Sequence, residues 1–222
     1  MVRGTTKRHA ALLAVTCVLF AGPAAAEVFS DLYLGVAVTQ DTEYTVEGEA
    51  VPPSVLCLDA CGSAYAPVGG IRVGYYMERW NWLGFAGEIS AVIHNWGIQS
   101  PYEVSSVPIS ALLMFRVPLL KREGFPNGRV QPYVGVGPSM VISTAERSSG
   151  WAFLGSGYEA SDTTVAAGFD GRVGLRMMST DWVSILLEYR FTYSSPSWDV
   201  DGDSVKTRFL TNHYILGFGL HY

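Results

Sequence analysis

An all-β fold, an eight-stranded antiparallel up-and-down barrel that crosses a membrane, is predicted by three features of this sequence. Eight segments alternate residue by residue between two faces. One face is a band of large apolar side chains, while the other mixes charges with Gly, Ala and Ser. The connections between segments alternate in length, as they do in transmembrane barrels. No stretch after residue 26 stays apolar for the ~18 residues that read as a membrane helix.

The first 26 residues stand apart. Arg3, Lys7 and Arg8 precede an apolar stretch from Ala10 to about Ala21, and Ala24, Ala25 and Ala26 supply small residues. That is the order of a secretory signal peptide, cut between Ala26 and Glu27; the alternative, a membrane anchor, has too short an apolar core. Residues 27–222 then form one domain. The leader carries three of the 15 Lys+Arg and none of the 20 Asp+Glu, leaving 12 cations against 20 anions, a formal −8. An acidic exported chain lacks the basic patch that nucleic-acid binding requires. Cys17 leaves with the leader. Cys57 and Cys61, four residues apart in an oxidising compartment, are expected to form a local disulfide; a metal site would need ligands that do not lie nearby.

The strands follow in order. "DLYLGVAVTQ" puts Leu32, Leu34, Val36 and Val38 on one face. In "GGIRVGYYME", Ile71, Val73, Tyr75 and Met77 oppose Arg72, Gly74, Tyr76 and Glu78. "FAGEISAVI" sets Phe85, Ile89, Ala91 and Ile93 against Ala86, Glu88 and Ser90. "ISALLMFRV" sets Ile109, Leu113, Phe115 and Val117 against Ser110, Leu112, Met114 and Arg116. Pro108 and Pro118 bracket it, and prolines are expected at strand ends because they cannot donate to a ladder. "VQPYVGVG" gives Val130, Val134 and Val136 against Gln131 and Tyr133, with Pro132 and Pro138 weakening the pattern. "TVAAGFDGRVGLRM" opposes Val165, Phe169, Val173, Leu175 and Met177 to Asp170, Arg172, Gly174 and Arg176. "VSILLEYRFTY" opposes Val183, Ile185, Leu187, Tyr189, Phe191 and Tyr193 to Glu188 and Arg190. The last run carries Tyr214, Leu216, Phe218, Leu220 and Tyr222 against His213, Ile215, Gly217, Gly219 and His221.

An energy argument sets the phase. With Arg72, Arg116 and Arg172 facing lipid, each would cost ~2–4 kcal/mol near the midplane. Three together approach the whole net stability of a domain. The charged face is therefore predicted to look inward, placing Arg72, Glu88, Arg116, Asp170, Arg172, Glu188 and Arg190 in the lumen. Charges buried there must pair, since an unpaired one costs several kcal/mol. A salt-bridged plug is the expected outcome, and a narrow pore opened by rearranged pairs the alternative. Residues 79–81, 120–128 and 179–181 read as turns on one rim. Thr45–Ala64, Gly97–Tyr102, Glu146–Asp162 and Ser194–Leu210 read as loops on the other, mostly long. Trp80, Trp82 and Trp182 sit by the turns, and Trp96, Tyr102 and Tyr193 toward the loops, as two interfacial girdles.

"QPYVGVG", "FDGRVGLRMM" followed by "LLEYRFTY", and the terminal "YILGFGLHY" resemble the eight-stranded outer-membrane barrels of the OmpA-type and opacity-like family across Glu27 to Tyr222. The resemblance implies a Gram-negative outer membrane, periplasmic N- and C-termini, and a barrel without an appended domain. It also implies that Tyr214, Leu216, Phe218, Leu220 and Tyr222 act as the signal read by the barrel-assembly machinery. Partners follow from this: outer-membrane lipid and lipopolysaccharide, and the assembly machinery; separately, the first loop, with Glu47, Glu49 and Asp59 and no Lys or Arg, is expected to project past anionic lipopolysaccharide toward a host or environmental ligand.

No enzyme, cofactor or metal is expected. Lipid A deacylases of similar size use a His/Ser pair two apart on one strand, which His94, His213 and His221 lack. Asp199, Asp201 and Asp203 begin like an EF-hand loop, but Ser204 and Leu210 replace its sixth-position Gly and twelfth-position Glu, so a solvated acidic loop is expected. A soluble exported ligand-binding barrel is the remaining fold alternative, and it would need an apolar interior.

Overall fold

A computed structural model describes residues 27–40, 44–46, 49–51, 64–94, 102–148, 158–200 and 203–222. Eight long strands close into an antiparallel barrel: β1 (Glu27–Gln40), β4 (Ala64–Tyr76), β5 (Leu83–His94), β6 (Tyr102–Arg116), β7 (Val130–Ser148), β8 (Tyr158–Met178), β9 (Val183–Ser194) and β12 (Phe209–His221). Four short strands, β2 (Tyr44–Val46), β3 (Glu49–Val51), β10 (Ser197–Val200) and β11 (Asp203–Lys206), make a separate sheet in the order β10-β11-β2-β3.

Alternation drives the closure. In β12 every second residue from Phe209 to His221 is buried, while Tyr214, Leu216, Phe218 and Leu220 face outward. The outer wall carries exposed Leu32, Leu34, Ile71, Phe85, Val173 and Leu187, a lipid-facing band; in water it would be an implausibly large apolar surface. Trp80, Trp82 and Trp182 stand exposed at the short-turn rim, and Tyr193 is exposed toward the other. Trp96 lies outside the described residues.

Closure fixes the stagger. Directly opposed residues run once round the barrel from Val28 through Tyr75, Phe85, Leu113, Val136, Gly171, Phe191 and Asn212 to Val38, ten residues higher on β1. Strands must therefore tilt. Eight strands ~4.8 Å apart at a tilt of about 40° give a wall of radius ~8 Å, which side chains can fill. Tyr222 finishes the seam: its N–H donates to Val28 O at 2.9 Å and its carbonyl accepts from Val28 N at 3.2 Å.

Three expectations need correction. Pro108 does not begin its strand; β6 starts at Tyr102, and Pro108 lies buried within it. The β5–β6 ladder is interrupted between Ile89↔Ile109 and Val92↔Ser106, where the missing proline N–H falls. Pro138 likewise sits inside β7, and the β6–β7 ladder skips from Ser110↔Ser139 to Leu113↔Val136. Each gap spans two pairs, and the register resumes unchanged on its far side. Second, β7 and β8 continue as a tall hairpin of 19 and 21 residues, paired from Val130↔Met177 to Ser148↔Tyr158, so much of the expected 146–162 loop is strand. Third, the expected loops 45–64 and 194–210 contribute the four-stranded sheet. Asp199 lies in β10 rather than in a free acidic loop, and its N–H donates to Asp162 Oδ2 at 2.8 Å.

At the opposite rim, the turn after β6 closes on Gly128, whose φ of 86° suits glycine. A Cβ there would also meet the Leu119 carbonyl at 2.7 Å. The lipid-facing assignment has a direct consequence. Leu187→Arg, at a position 63% exposed on the outer wall, is expected to destabilise the barrel by ~2–4 kcal/mol in urea unfolding from lipid vesicles. A loss below about 0.5 kcal/mol, typical of a solvated surface site, would show that this face does not meet lipid.

Candidate functional site

The barrel interior holds the chemistry. Arg72, Glu88, Arg116, Asp170, Arg172, Glu188 and Arg190 all point inward and are 0–5% exposed. The structure brings six of them into one network and adds two that sequence reasoning did not name as site residues, Asp31 and Arg176. Four guanidiniums and four carboxylates thus meet at the centre of the bore.

Asp31 accepts from Arg72 Nε at 2.9 Å and from Arg176 Nη2 at 2.7 and 2.8 Å. Glu188 accepts from Arg72 Nη1 at 2.7 Å and from Tyr133 Oη at 2.6 Å. Glu88 takes Arg172, Arg190 Nη1 at 2.9 Å and Tyr33 Oη at 2.7 Å. Asp170 takes Arg172 Nη2 and Arg190 Nη2, each at 2.7 Å, and Ser110 Oγ at 2.9 Å. Local register explains the pairs: Asp31, Arg72 and Glu88 are direct cross-strand neighbours on β1, β4 and β5. One juxtaposition is adverse, because Arg172 and Arg190 lie directly opposite on β8 and β9, where like charges repel. Glu88, reaching across the lumen, and Asp170, two residues from Arg172, each contact both and cancel that repulsion.

Aromatic rings and glycines make room for the network. Tyr33 lies over Gly70 and Tyr133 over Gly174; a Cβ at either glycine would come within 2.7 Å of the ring. The Arg176 guanidinium covers Phe29 at 4.6 Å, and Arg72 sits between Tyr33 at 6.0 Å and Tyr133 at 5.7 Å. These contacts desolvate the cations while supplying quadrupole attraction. Tyr133 was legible as an inward residue, but the hydroxyl partners of both tyrosines, on distant strands, were not.

Below this layer, toward the short-turn rim, a second cluster forms. Arg116 Nη2 donates to Glu27 Oε2 at 2.5 Å and covers the Tyr76 ring at 3.7 Å. Glu27 Oε1 also meets His221 Nδ1 at 2.8 Å, and His221 Nε2 meets Ser184 Oγ at 2.9 Å. A pocket of about 340 Å³ opens here, lined by Glu27, Phe125, Asn127, Asp181, His221 and Tyr222 among others. Ser184, His221 and Glu27 have the connectivity of a nucleophile, base and orienting carboxylate. Yet Ser184 is fully buried and does not line the pocket, and Glu27 is already held by Arg116.

Above the network the interior changes character. With the ten-residue stagger, one level of the wall is built from Ala37, Val68, Val92, Pro108, Ser139, Gly168, Thr192 and Thr211, one from each strand. The next level up includes Ala66, Ser106, Val141, Ala166 and Ser194. Trp198 of β10 packs at this end of the barrel. It is 3% exposed, packs edge-on to Phe209 with ring centroids 6.1 Å apart, and donates from Nε1 to Ser143 O at 3.1 Å.

Tyr214, Leu216, Phe218, Leu220 and Tyr222 form an outward stripe, 39–70% exposed. Cys57, Cys61 and the His94 side chain lie outside the described part of the structure. No group of three or more His, Cys, Asp or Glu among the described residues is placed to hold a metal ion.

The network should behave as a unit. Glu188→Ala leaves Arg72, Arg172 and Tyr133 short of an acceptor, and is expected to cost ~3–5 kcal/mol in urea unfolding from vesicles. Adding Arg72→Met should cost well under the sum of the two single changes. Strict additivity would mean that the two side chains do not interact.

Comparison with known proteins agrees with this architecture. The model for the outer membrane protein beta-barrel domain matches residues 10–221. Neisserial surface protein A, at 16% identity, aligns with 90% of this chain and 99% of its own with a TM-score of 0.57. OprG of Pseudomonas aeruginosa, at 14% identity, aligns over 89% and 97% with a TM-score of 0.57. No curated protein sequence matches the chain. With its match over nearly the full length, the chain belongs to the outer membrane protein beta-barrel domain family.

Proposed function

We propose that this Gram-negative outer-membrane barrel is a closed, non-enzymatic scaffold that holds an acidic surface for binding outside the cell. The observation that carries the closed state is the network of Asp31, Arg72, Glu88, Asp170, Arg172, Arg176, Glu188 and Arg190. Every one of these side chains is 0–1% exposed, and each meets an opposite charge. An ion crossing that level would have to break pairs whose separation leaves charges buried alone. The complete burial of Ser184 supports a structural reading of its contact with His221, which ties β9 to β12 while Glu27 ties β12 to β1.

Charge partition supports the orientation. The segments at the long-loop end, counted along the chain, hold twelve Asp and Glu against Arg147, Lys206 and Arg208. The short-turn rim has Glu78, Glu123 and Asp181 against Arg79, Lys121, Arg122 and Arg129. The acidic end faces outward in this reading and the termini face the periplasm. Acidic loops there avoid lipopolysaccharide phosphates unless divalent cations intervene, which favours a partner beyond the lipid. Within this scheme Cys57 and Cys61 form a staple in the first loop, and the terminal stripe ending in Tyr222 is read by the assembly machinery.

Planar-bilayer recording tests the closed state: the purified barrel should show no steady conductance, and a stable unitary current that Arg172→Ala alters would establish the narrow-pore reading instead. Surface binding is tested separately by excising 52–62. Cells carrying that variant should lose adhesion to host or environmental surfaces while the barrel keeps its folded, unboiled gel mobility. Unchanged adhesion would remove the first loop as the binding element.

A further inference from the structure

We infer that the turn between β6 and β7 is a membrane-binding foot, in which Arg122 and Arg129 hold the phosphate of an anionic phospholipid. Three observations converge on it. The first is an apolar stripe that outruns the barrel wall. The Trp82 carbonyl accepts from Arg116 N–H at 2.8 Å, which marks the rim on that side. Below it the two chain segments keep pairing, with Val117 N–H donating to Pro132 O and Leu119 N–H to Val130 O, each at 2.9 Å. The outward stripe that holds Leu113 and Phe115 thus continues through Val117 and Leu119, 57% and 44% exposed. Leu120 follows at φ 54°, a left-handed conformation that leucine rarely adopts, and its side chain is 67% exposed. Two consecutive leucines therefore stand uncovered where the chain turns.

The second observation is charge without a partner. Phe125 N–H donates to Arg122 O at 2.8 Å and closes the tip across Gly124, whose φ is 85°. The guanidiniums of Arg122 and Arg129 both stand at the Phe125 ring, 5.1 and 5.9 Å from its centroid. Neither meets a carboxylate among the described residues, and Glu123, the one acid in the turn, pairs with neither. Like charges gathered at one ring repel unless an anion joins them, and guanidinium forks match phosphate oxygens. Lys121 adds a third cation beside them. The third observation is depth. Leu119 is three residues beyond Arg116, so it lies about 8 Å lower at ~3.3 Å per residue and a tilt of about 40°. The headgroup layer outside the hydrocarbon core is about 5–8 Å thick, and tryptophans mark its boundary. Trp82 stands at that boundary, stacked on Phe115 with ring centroids 6.0 Å apart. Continuity with the lipid-facing wall and this depth assign the surface to the leaflet, and the unpaired guanidiniums select a headgroup with net negative charge.

The test uses the full barrel in phosphatidylcholine vesicles, with Trp82 as its sole tryptophan and the other five replaced by phenylalanine. Phosphatidylglycerol brominated in its acyl chains quenches Trp82 where it displaces phosphatidylcholine. A basic residue at an anionic surface is worth roughly fivefold in affinity, so a preference of about tenfold or more over brominated phosphatidylcholine is expected. Arg122→Gln with Arg129→Gln should reduce that preference to about twofold or less, whereas Arg79→Gln, a rim cation away from Phe125, should leave it within about twofold of the native value. Inorganic phosphate, which has no acyl chain to seat against Leu119 and Leu120, should not compete. No preference in the native barrel would overturn the proposal and leave the turn to a protein partner. Equal losses from Arg79→Gln and the double change would also overturn it, because general rim charge would then suffice. If a variant fails to show folded gel mobility, nitrogen-15 spectra of the native barrel decide. The Nε–H signals of Arg122 and Arg129 should shift saturably with short-chain phosphatidylglycerol and not with phosphatidylcholine, and unmoved signals refute the site. The inference rests on the short-turn rim meeting a phospholipid leaflet. It does not depend on the closed state or on binding at the acidic end, since lipid selection is read in either case.

Discussion

Arg172 cannot be buried alone. Taking a guanidinium from water into a dry interior costs several kcal/mol even after relaxation, and the barrel places four of them at its centre. Neutrality there is a condition for closure, not an addition to it. Asp31, Glu88, Asp170 and Glu188 must arrive at one level from β1, β5, β8 and β9, which requires the stagger of ten residues to be correct around the entire wall. A slip of one residue on any strand would turn its charge to the lipid and its leucines to the lumen. The network thereby selects the register, and the lipid-facing band enforces the same choice from outside.

From this constraint follows a vertical order in the interior. At the short-turn end, Arg116, Glu27 and His221 bind β6 to the β1–β12 seam. The eight-charge layer fills the middle, with Tyr33 and Tyr133 completing the coordination of two carboxylates. Above it the wall is alanine, serine, valine and threonine, and Trp198 is buried there against Phe209 and the Ser143 carbonyl. In the lower two tiers each guanidinium meets a carboxylate.

Much of this was legible in the sequence, for a simple reason. Alternation with a period of two assigns a face to each residue, so Arg72, Glu88, Arg172 and Glu188 could be turned inward from their apolar neighbours alone. Partnership was not legible. Which carboxylate meets Arg72 depends on a stagger that exists only once β1 meets β12, and Asp31 stands on the face of β1 opposite its leucines. Arg176 stood on the inward side of its strand, yet only the closed barrel brings it across the lumen to Asp31. The prolines misled because their effect is local. Pro108 and Pro138 each remove a donor, but flanking pairs hold the register across the gap. Trp198 gave no signal at all, because its partners Phe209 and Ser143 meet it only through the fold.

The central claim is that the charged layer is dry and closed. Nitrogen-15 spectra of arginine side chains in the lipid-reconstituted barrel test it most directly, followed through transfer into heavy water at mildly alkaline pH. The Nε–H protons of Arg72 and Arg172, donated to Asp31 and Asp170, should give sharp separate signals that persist for hours. Signals that vanish within the dead time of the exchange would show water moving freely through the layer, and would contradict the account of the barrel as a sealed scaffold.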